Sequence, residues 1–302
     1  MSLFTGLSAF PLTPLRDDAV DEAAFAGLVE RLAGSGVDSI TALGSTGGYP
    51  YFSPEERALV VRLAVEHAGA TPVFAGIGAL RTSHVLANAD SAEAAGAAGL
   101  LLAPMTYQPL TEDDVFGLFR DVTAHTSLPV IVYDNPRVTR FTFSDELYGR
   151  IGALSGIASV KIPGVPEDPA AARDRVAAIR AVLPDHVTIG VSGDATAATA
   201  LLAGCDAWYS VIAGTAPAPA LRLARAALAG DADTAVAESQ RLAPLWDLFA
   251  AHGGMRVVAA IAERSGLVPP RCLPLPIRGL DGADRDRVAA VMDALDLGAD
   301  AA

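Results

Sequence analysis

Apolar residues gather along the chain into short runs, separated by longer stretches in which they return every three or four positions. The runs are "GLSAFPLTP", "SITALGSTG", "PVFAGIG", "GLLLAPM", "PVIVYDNP", "IASVKIPG", "HVTIGVSG" and "AWYSVIAG", each with 4 to 8 apolar-rich residues bounded by Gly, Pro or polar side chains. A strand covered on both faces reads this way, because crossover helices bury both sides of a parallel sheet. Between the runs lie helical patterns such as "DEAAFAGLVERLAGSG", "SPEERALVVRLAVEHAG" and "TEDDVFGLFRDVTAHTS". They open with Ser, Thr or Asp ahead of acidic residues, as the unpaired N–H groups of a helix start require.

Eight such strands alternate with helices at intervals of roughly 20 to 35 residues, which predicts an α/β fold of the (β/α)8 TIM-barrel type. An open, doubly wound sheet is the alternative, but eight units within about 215 residues favour closure. The first strand-to-helix connection also lacks the Gly-x-Gly-x-x-Gly of a dinucleotide crevice. After "AWYSVIAG" only helical patterns follow, including "ALRLARAALAG", "TAVAESQRLAPLWDLFAAHG" and "GMRVVAAIAERSG". The reading is a barrel catalytic domain over 1–224 and a C-terminal helical region over 225–302, with the tail "GADAA" expected to fray.

Composition narrows the function classes. An apolar content of 51% against 19% charged residues predicts a folded chain, and a net charge of -13 would repel a phosphate backbone, so nucleic acid is not an expected partner. "MSLFTGLSAF" lacks the basic start of a secretory leader, and no apolar stretch reaches the ~20 residues of a membrane span. A soluble, cytoplasmic protein is expected. Cys205 and Cys272 fit neither a disulfide framework nor a zinc knuckle and read as buried reduced thiols. His67, His84 and His125 fall within or at the ends of helical patterns, His186 opens the seventh strand on the far face, and His252 lies in the C-terminal region. No pair has metal-ligand spacing near the strand ends, so a zinc-dependent aldolase is not expected; no cofactor is expected either.

The positive charges carry the chemical clue. The chain has 21 arginines and a single lysine, Lys161, set between Val160 and Ile162. A coding bias that replaces lysine by arginine leaves one wherever the chemistry of an amine is needed, since arginine stays protonated at any pH a protein tolerates. In a (β/α)8 barrel the reacting groups sit at the carboxyl ends of the strands. Those ends offer Ser45 and Thr46 after the second strand, Tyr133 at the fifth, Lys161 at the sixth, and Ser192, Gly193 and Asp194 after the seventh. Apolar neighbours disfavour the charged form of a lysine, and a neutral amine attacks a ketone to give an imine that withdraws electrons from the adjacent carbon. Tyr133 can move the protons this needs, while the hydroxyls and backbone N–H groups of "GSTGG" can surround a carboxylate. The plainer alternatives are a surface lysine past a strand end, a packing tyrosine and a generic glycine turn.

Taken together, "FPLTPL", "GSTGG", "SPEER", "YDNP", "VKIPG" and "SGD" in this order resemble the dihydrodipicolinate synthase and N-acetylneuraminate lyase superfamily of class I aldolases over nearly the whole chain. The resemblance implies a Schiff base between Lys161 and pyruvate or another 2-oxo acid, with Tyr133 as acid/base residue, Ser45 relaying protons, and Thr46 with Gly47 holding the carboxylate. It also implies a homotetramer or homodimer without a metal. The chain departs from the pattern in several places. Where dihydrodipicolinate synthases carry an arginine for a second carboxylate, this chain has Val138, flanked by Arg137 and Arg140. In the loop after strand four, Thr106 or, with a one-residue shift, Tyr107 takes the place of an aromatic that enters a neighbouring subunit's site. Tyr209 replaces a smaller aliphatic residue in strand eight and would narrow or re-polarise a pocket that Gly193 also borders. The expected activity is therefore that of a dihydrodipicolinate synthase-like lyase or, alternatively, an aldolase for 2-keto-3-deoxy sugar acids or N-acetylneuraminate-type substrates. A phosphate-binding barrel isomerase using "SGDA" and "AGTAPAP", and a keto-acid sensor without turnover, are the readings from other classes.

Overall fold

The computed structural model describes residues 3–297; the segment "GADAA" lies outside the described residues. Eight parallel strands, β1 (Gly6–Ala9), β2 (Ser39–Ala42), β3 (Val73–Gly76), β4 (Gly99–Leu102), β5 (Val130–Tyr133), β6 (Ile157–Ile162), β7 (Thr188–Val191) and β8 (Ala207–Ser210), form a closed barrel in which β8 pairs with β1. All eight fall within the apolar runs of the sequence, and closure removes the open-sheet alternative. An unanticipated two-stranded antiparallel ribbon, Leu15–Arg16 with Ala19–Val20, follows β1. Its turn residues Asp17 and Asp18 both have positive φ, the conformation a tight right-twisted hairpin turn needs.

Helix starts are fixed by local chemistry. Asp21 accepts a hydrogen bond from Ala24 N ahead of helix Glu22–Ser35, and Ser53 with Glu56 and Thr111 with Asp114 form reciprocal capping pairs for Pro54–His67 and Glu112–His125. Outward-facing strand residues such as Leu7, Ile40 and Val132 join the helices in one apolar shell, whereas Phe10, Phe74, Leu101, Ile131 and Tyr209 form a separate cluster inside the barrel. Side chains alternate between these two cores because successive strand residues face opposite sides.

Polar side chains inside the lower barrel are paired. Ser8 Oγ lies 2.8 Å from Thr41 Oγ1, and Ser159 Oγ lies 2.8 Å from Tyr209 Oη. Room for the Tyr209 ring comes from Gly190, where a Cβ would sit 2.3 Å from a ring carbon. Helix Pro217–Leu228 runs through residue 224, so the last barrel helix continues past the point at which the sequence pattern was divided. Helices Ala232–Arg241, Ala243–His252, Gly254–Arg264 and Gly282–Leu295 follow it. At Gly253 the backbone takes φ 80° and ψ 144°, breaking the helical run between His252 and Gly254. Gly254 lies so close to Val211, just after β8, that a Cβ would be 3.0 Å from Val211 Cγ1; this brings residues 252–256 over the carboxyl end of the barrel. Among the described residues no helix is long and apolar enough to cross a membrane, and Cys205 and Cys272 are free and buried.

Candidate active site

Register on β5 and β6 sets Tyr133 directly beside Lys161. Lys161 is 2% exposed, and its Nζ lies 4.0 Å from the centroid of the Phe10 ring, 4.2 Å from that of Tyr133 and 5.7 Å from that of Tyr209. Removal from water brings the amine down from its ordinary 10.5 to about 7, against an opposing pull from the Asp194 carboxylate. Asp194 is itself a scaffold residue. Its Oδ1 accepts from Trp208 Nε1 at 2.8 Å and Val211 N at 3.2 Å, and its Oδ2 accepts from Ile212 N at 2.9 Å. Burial nevertheless raises the Asp194 carboxyl to about 6.

The loop after β2 reaches over the barrel through a sharp reversal in which Leu43 has φ 56°, unusual for a residue with a Cβ. Gly44 then passes the Phe10 ring so closely that a Cβ would stand 2.5 Å from Cδ1. This close passage sets Ser45 Oγ 3.4 Å from Tyr133 Oη. Asn135 Nδ2 donates to Tyr133 Oη at 2.8 Å and to Ser45 Oγ at 3.3 Å. Burial pushes the Tyr133 phenol up to about 12, while the bonds from Ser45 and Asn135 pull the other way.

A cavity of about 500 Å³ opens above Lys161. Of the residues expected from the sequence, Lys161, Tyr133, Ser45, Thr46, Ser192, Gly193 and Val138 all border it. The others do not. Gly47 is turned against Leu43, where a Cβ would meet the backbone at 3.2 Å, so it shapes the loop without lining the cavity. Tyr209 lies below Lys161 with its hydroxyl bound to Ser159, and therefore neither narrows nor re-polarises the cavity. Thr106 hydrogen-bonds to the Gln108 carbonyl, and Tyr107 is 88% exposed; neither borders the cavity of its own chain.

Several lining residues were not foreseen. Asn135 stands in the quoted "YDNP", where an amide two residues after a strand-end tyrosine was the available signal. His252 and Arg256 carry no local signal, since they reach the mouth from helices more than 90 residues further along the chain than Lys161. Arg137 borders the cavity, whereas Arg140 does not. The carboxyl group on the wall is Asp134, whose Oδ2 accepts from Tyr148 Oη at 2.6 Å and whose burial raises it to about 6. Among the described residues no cluster of three His, Cys, Asp or Glu side chains is arranged to hold a metal ion.

A model of the dihydrodipicolinate synthetase family matches residues 3–295. The chain belongs to that family. Over 98% of its length it is 30% identical to a 4-hydroxy-tetrahydrodipicolinate synthase of Anaplasma marginale, of which 95% is covered. It is 32% identical to the enzyme of the same name from Methylococcus capsulatus, with 94% of this chain and 95% of the relative covered. A crystal structure of dihydrodipicolinate synthase from Agrobacterium tumefaciens superimposes with a TM-score of 0.93 at 44% identity, covering 97% of this chain and 98% of that one. Family membership makes the chain a lyase of the class I aldolase type on a (β/α)8 barrel with C-terminal helices, and sets aside the phosphate-binding isomerase.

Proposed function

We propose that Lys161 Nζ forms an imine with the C2 carbonyl of pyruvate or another 2-oxo acid, and that the chain uses this imine to make or break a carbon–carbon bond. The observation that carries the reading is the position of the sole lysine: buried among aromatic faces at a strand end, with its amine brought down to about 7. The neutral amine attacks the carbonyl carbon. Tyr133 gives a proton to the departing hydroxyl, water leaves, and the iminium draws electrons from C3, so that a proton or a carbon substituent can leave as an electrophile. In the synthetic direction the resulting enamine attacks an aldehyde, the Tyr133–Ser45 pair protonates the new alkoxide, and water releases the product. Thr46 receives the 2-oxo acid carboxylate, with Gly47 holding its loop against Leu43, and Gly193 and Val138 bound the acceptor's space. Thr106 or Tyr107 of a second copy approaches this site in a homodimer or homotetramer, which acts in the cytoplasm without a cofactor.

The second substrate is the open variable. The relatives' names support 4-hydroxy-tetrahydrodipicolinate synthesis, and the departure at Val138 supports an aldolase of 2-keto-3-deoxy sugar acids or N-acetylneuraminate-type substrates. Arg137 and Arg256 on the outer wall favour an acceptor that carries its own carboxylate. The test is turnover of pyruvate with aspartate semialdehyde, glyceraldehyde and N-acetylmannosamine in parallel, repeated with Arg137→Ala. The expected result is preference for the acidic aldehyde and a rise in its KM of about 10- to 100-fold in the variant. Faster turnover of the neutral aldehydes, with no effect of Arg137→Ala, would give the site to the sugar-type reaction.

A further inference from the structure

Resting on the imine reading, we propose that Asn135 is the positioning residue of the proton-transfer machinery: its amide donates to both Tyr133 and Ser45 and aims the phenolic proton at the substrate. The geometry is a triangle with Nδ2 2.8 Å from Tyr133 Oη, 3.3 Å from Ser45 Oγ, and the two oxygens 3.4 Å apart. An amide nitrogen has two hydrogens and no acceptor capacity, so it offers one to each oxygen. Each hydroxyl then directs its own proton away from Asn135. At 3.4 Å the two hydroxyls are well beyond the usual ~2.7–2.8 Å of an O–H···O bond, so neither is a strong acceptor for the other. The best remaining acceptor for the Tyr133 proton is an oxygen of a molecule in the cavity, which Ser45, Tyr133 and Asn135 all border.

A purely structural task for the Asn135 side chain is not in evidence. The residue precedes helix Pro136–Thr139, where an asparagine ordinarily caps the helix with its side chain, yet no side-chain cap bond is made. Its backbone carbonyl instead accepts from Val138 N at 3.0 Å, Thr139 N at 2.9 Å and Thr139 Oγ1 at 3.0 Å. The main chain is therefore anchored independently and the amide is free to serve the hydroxyls. Once Tyr133 has released its proton, the 2.8 Å bond becomes a charge-assisted one that steadies the phenolate. Asn135, Tyr133 and Ser45 all belong to one subunit.

The experiment follows the borohydride-trapped pyruvate adduct on Lys161 over time, together with kcat, KM and the pH–rate profile, in wild type, Asn135→Val and Asn135→Asp. The aspartate has the same size and, once ionised, no donor. Each is repeated in a Tyr133→Phe background. Wild type forms the adduct; both variants form it about 10- to 100-fold more slowly with KM for pyruvate within about threefold, and Asn135→Gln recovers part of the rate. The alkaline limb of the profile moves up in Asn135→Val, because the phenolate has lost a donor, while the titrating neighbours Lys161, Asp134 and Asp194 are unaltered. In the Tyr133→Phe background the further loss from Asn135→Val shrinks to less than about threefold, since Asn135 acts through the tyrosine. Wild-type trapping rates in both variants, or losses that simply multiply with Tyr133→Phe, would overturn the inference. A wild type that forms no adduct at all would overturn the imine reading and this inference with it.

Discussion

Two tyrosines press on Lys161 from the barrel interior and differ in what holds their hydroxyls. Tyr209, on β8, is bonded to Ser159 at 2.8 Å in a packed layer where Ser8 and Thr41 are paired at the same distance. Tyr133, on β5, faces a cavity, with Ser45 at 3.4 Å and Asn135 at 2.8 Å. Below the lysine, polar groups are satisfied by the protein and serve stability; above it they border the cavity and are less tightly paired. Burial raises both phenols, so titration alone does not separate them. The hydrogen-bond partners do.

The most severe way to break this contrast is to remove the amine on which both rings rest. Lys161→Met loses all adduct formation and turnover yet gains about 1–3 kcal/mol of stability near pH 7, because a buried polar group is replaced by an apolar one of similar length. Chemical denaturation across pH reads the same group. The folded amine titrates near 7 and the unfolded one at 10.5, so between these values the unfolded chain holds a proton that the folded chain has released. Wild-type stability therefore rises with pH through that window, and the rise disappears in Lys161→Met. Substituting each tyrosine in turn comes next in size. Tyr133→Phe lowers kcat about 10²- to 10⁴-fold with its melting temperature nearly unmoved, as expected for a proton-transfer group. Tyr209→Phe gives the smallest effect, less than about threefold on kcat and about 1 kcal/mol of stability, the worth of one buried hydrogen bond. A large kcat loss in Tyr209→Phe would erase the distinction between the two layers.

The barrel and its reactive end were legible in the chain because they rest on local signals: eight apolar runs, helix caps such as Ser53 with Glu56, and a lysine with no other copy. Tyr133 and Tyr209 each sit in an apolar strand segment, and only the three-dimensional register shows that one hydroxyl meets Ser159 and the other a cavity. Gly47 looked like part of a carboxylate cradle because it stands next to Thr46, but the loop's reversal at Leu43 turns it inward. His252 and Arg256 were invisible as cavity residues, since their place depends on the break at Gly253 and the close approach of Gly254 to Val211. Asn135 was readable as a letter of "YDNP" but not as a double donor, which requires knowing that the loop after β2 folds over β5.

The most direct test of the account is the intact mass of the protein after incubation with pyruvate and borohydride, followed by peptide mapping, with other 2-oxo acids in parallel. A reduced adduct of one 2-oxo acid per chain, mapped to Lys161, is the predicted result. Unmodified protein with every 2-oxo acid tried would contradict it and leave the single lysine a chance survivor of an arginine-rich composition.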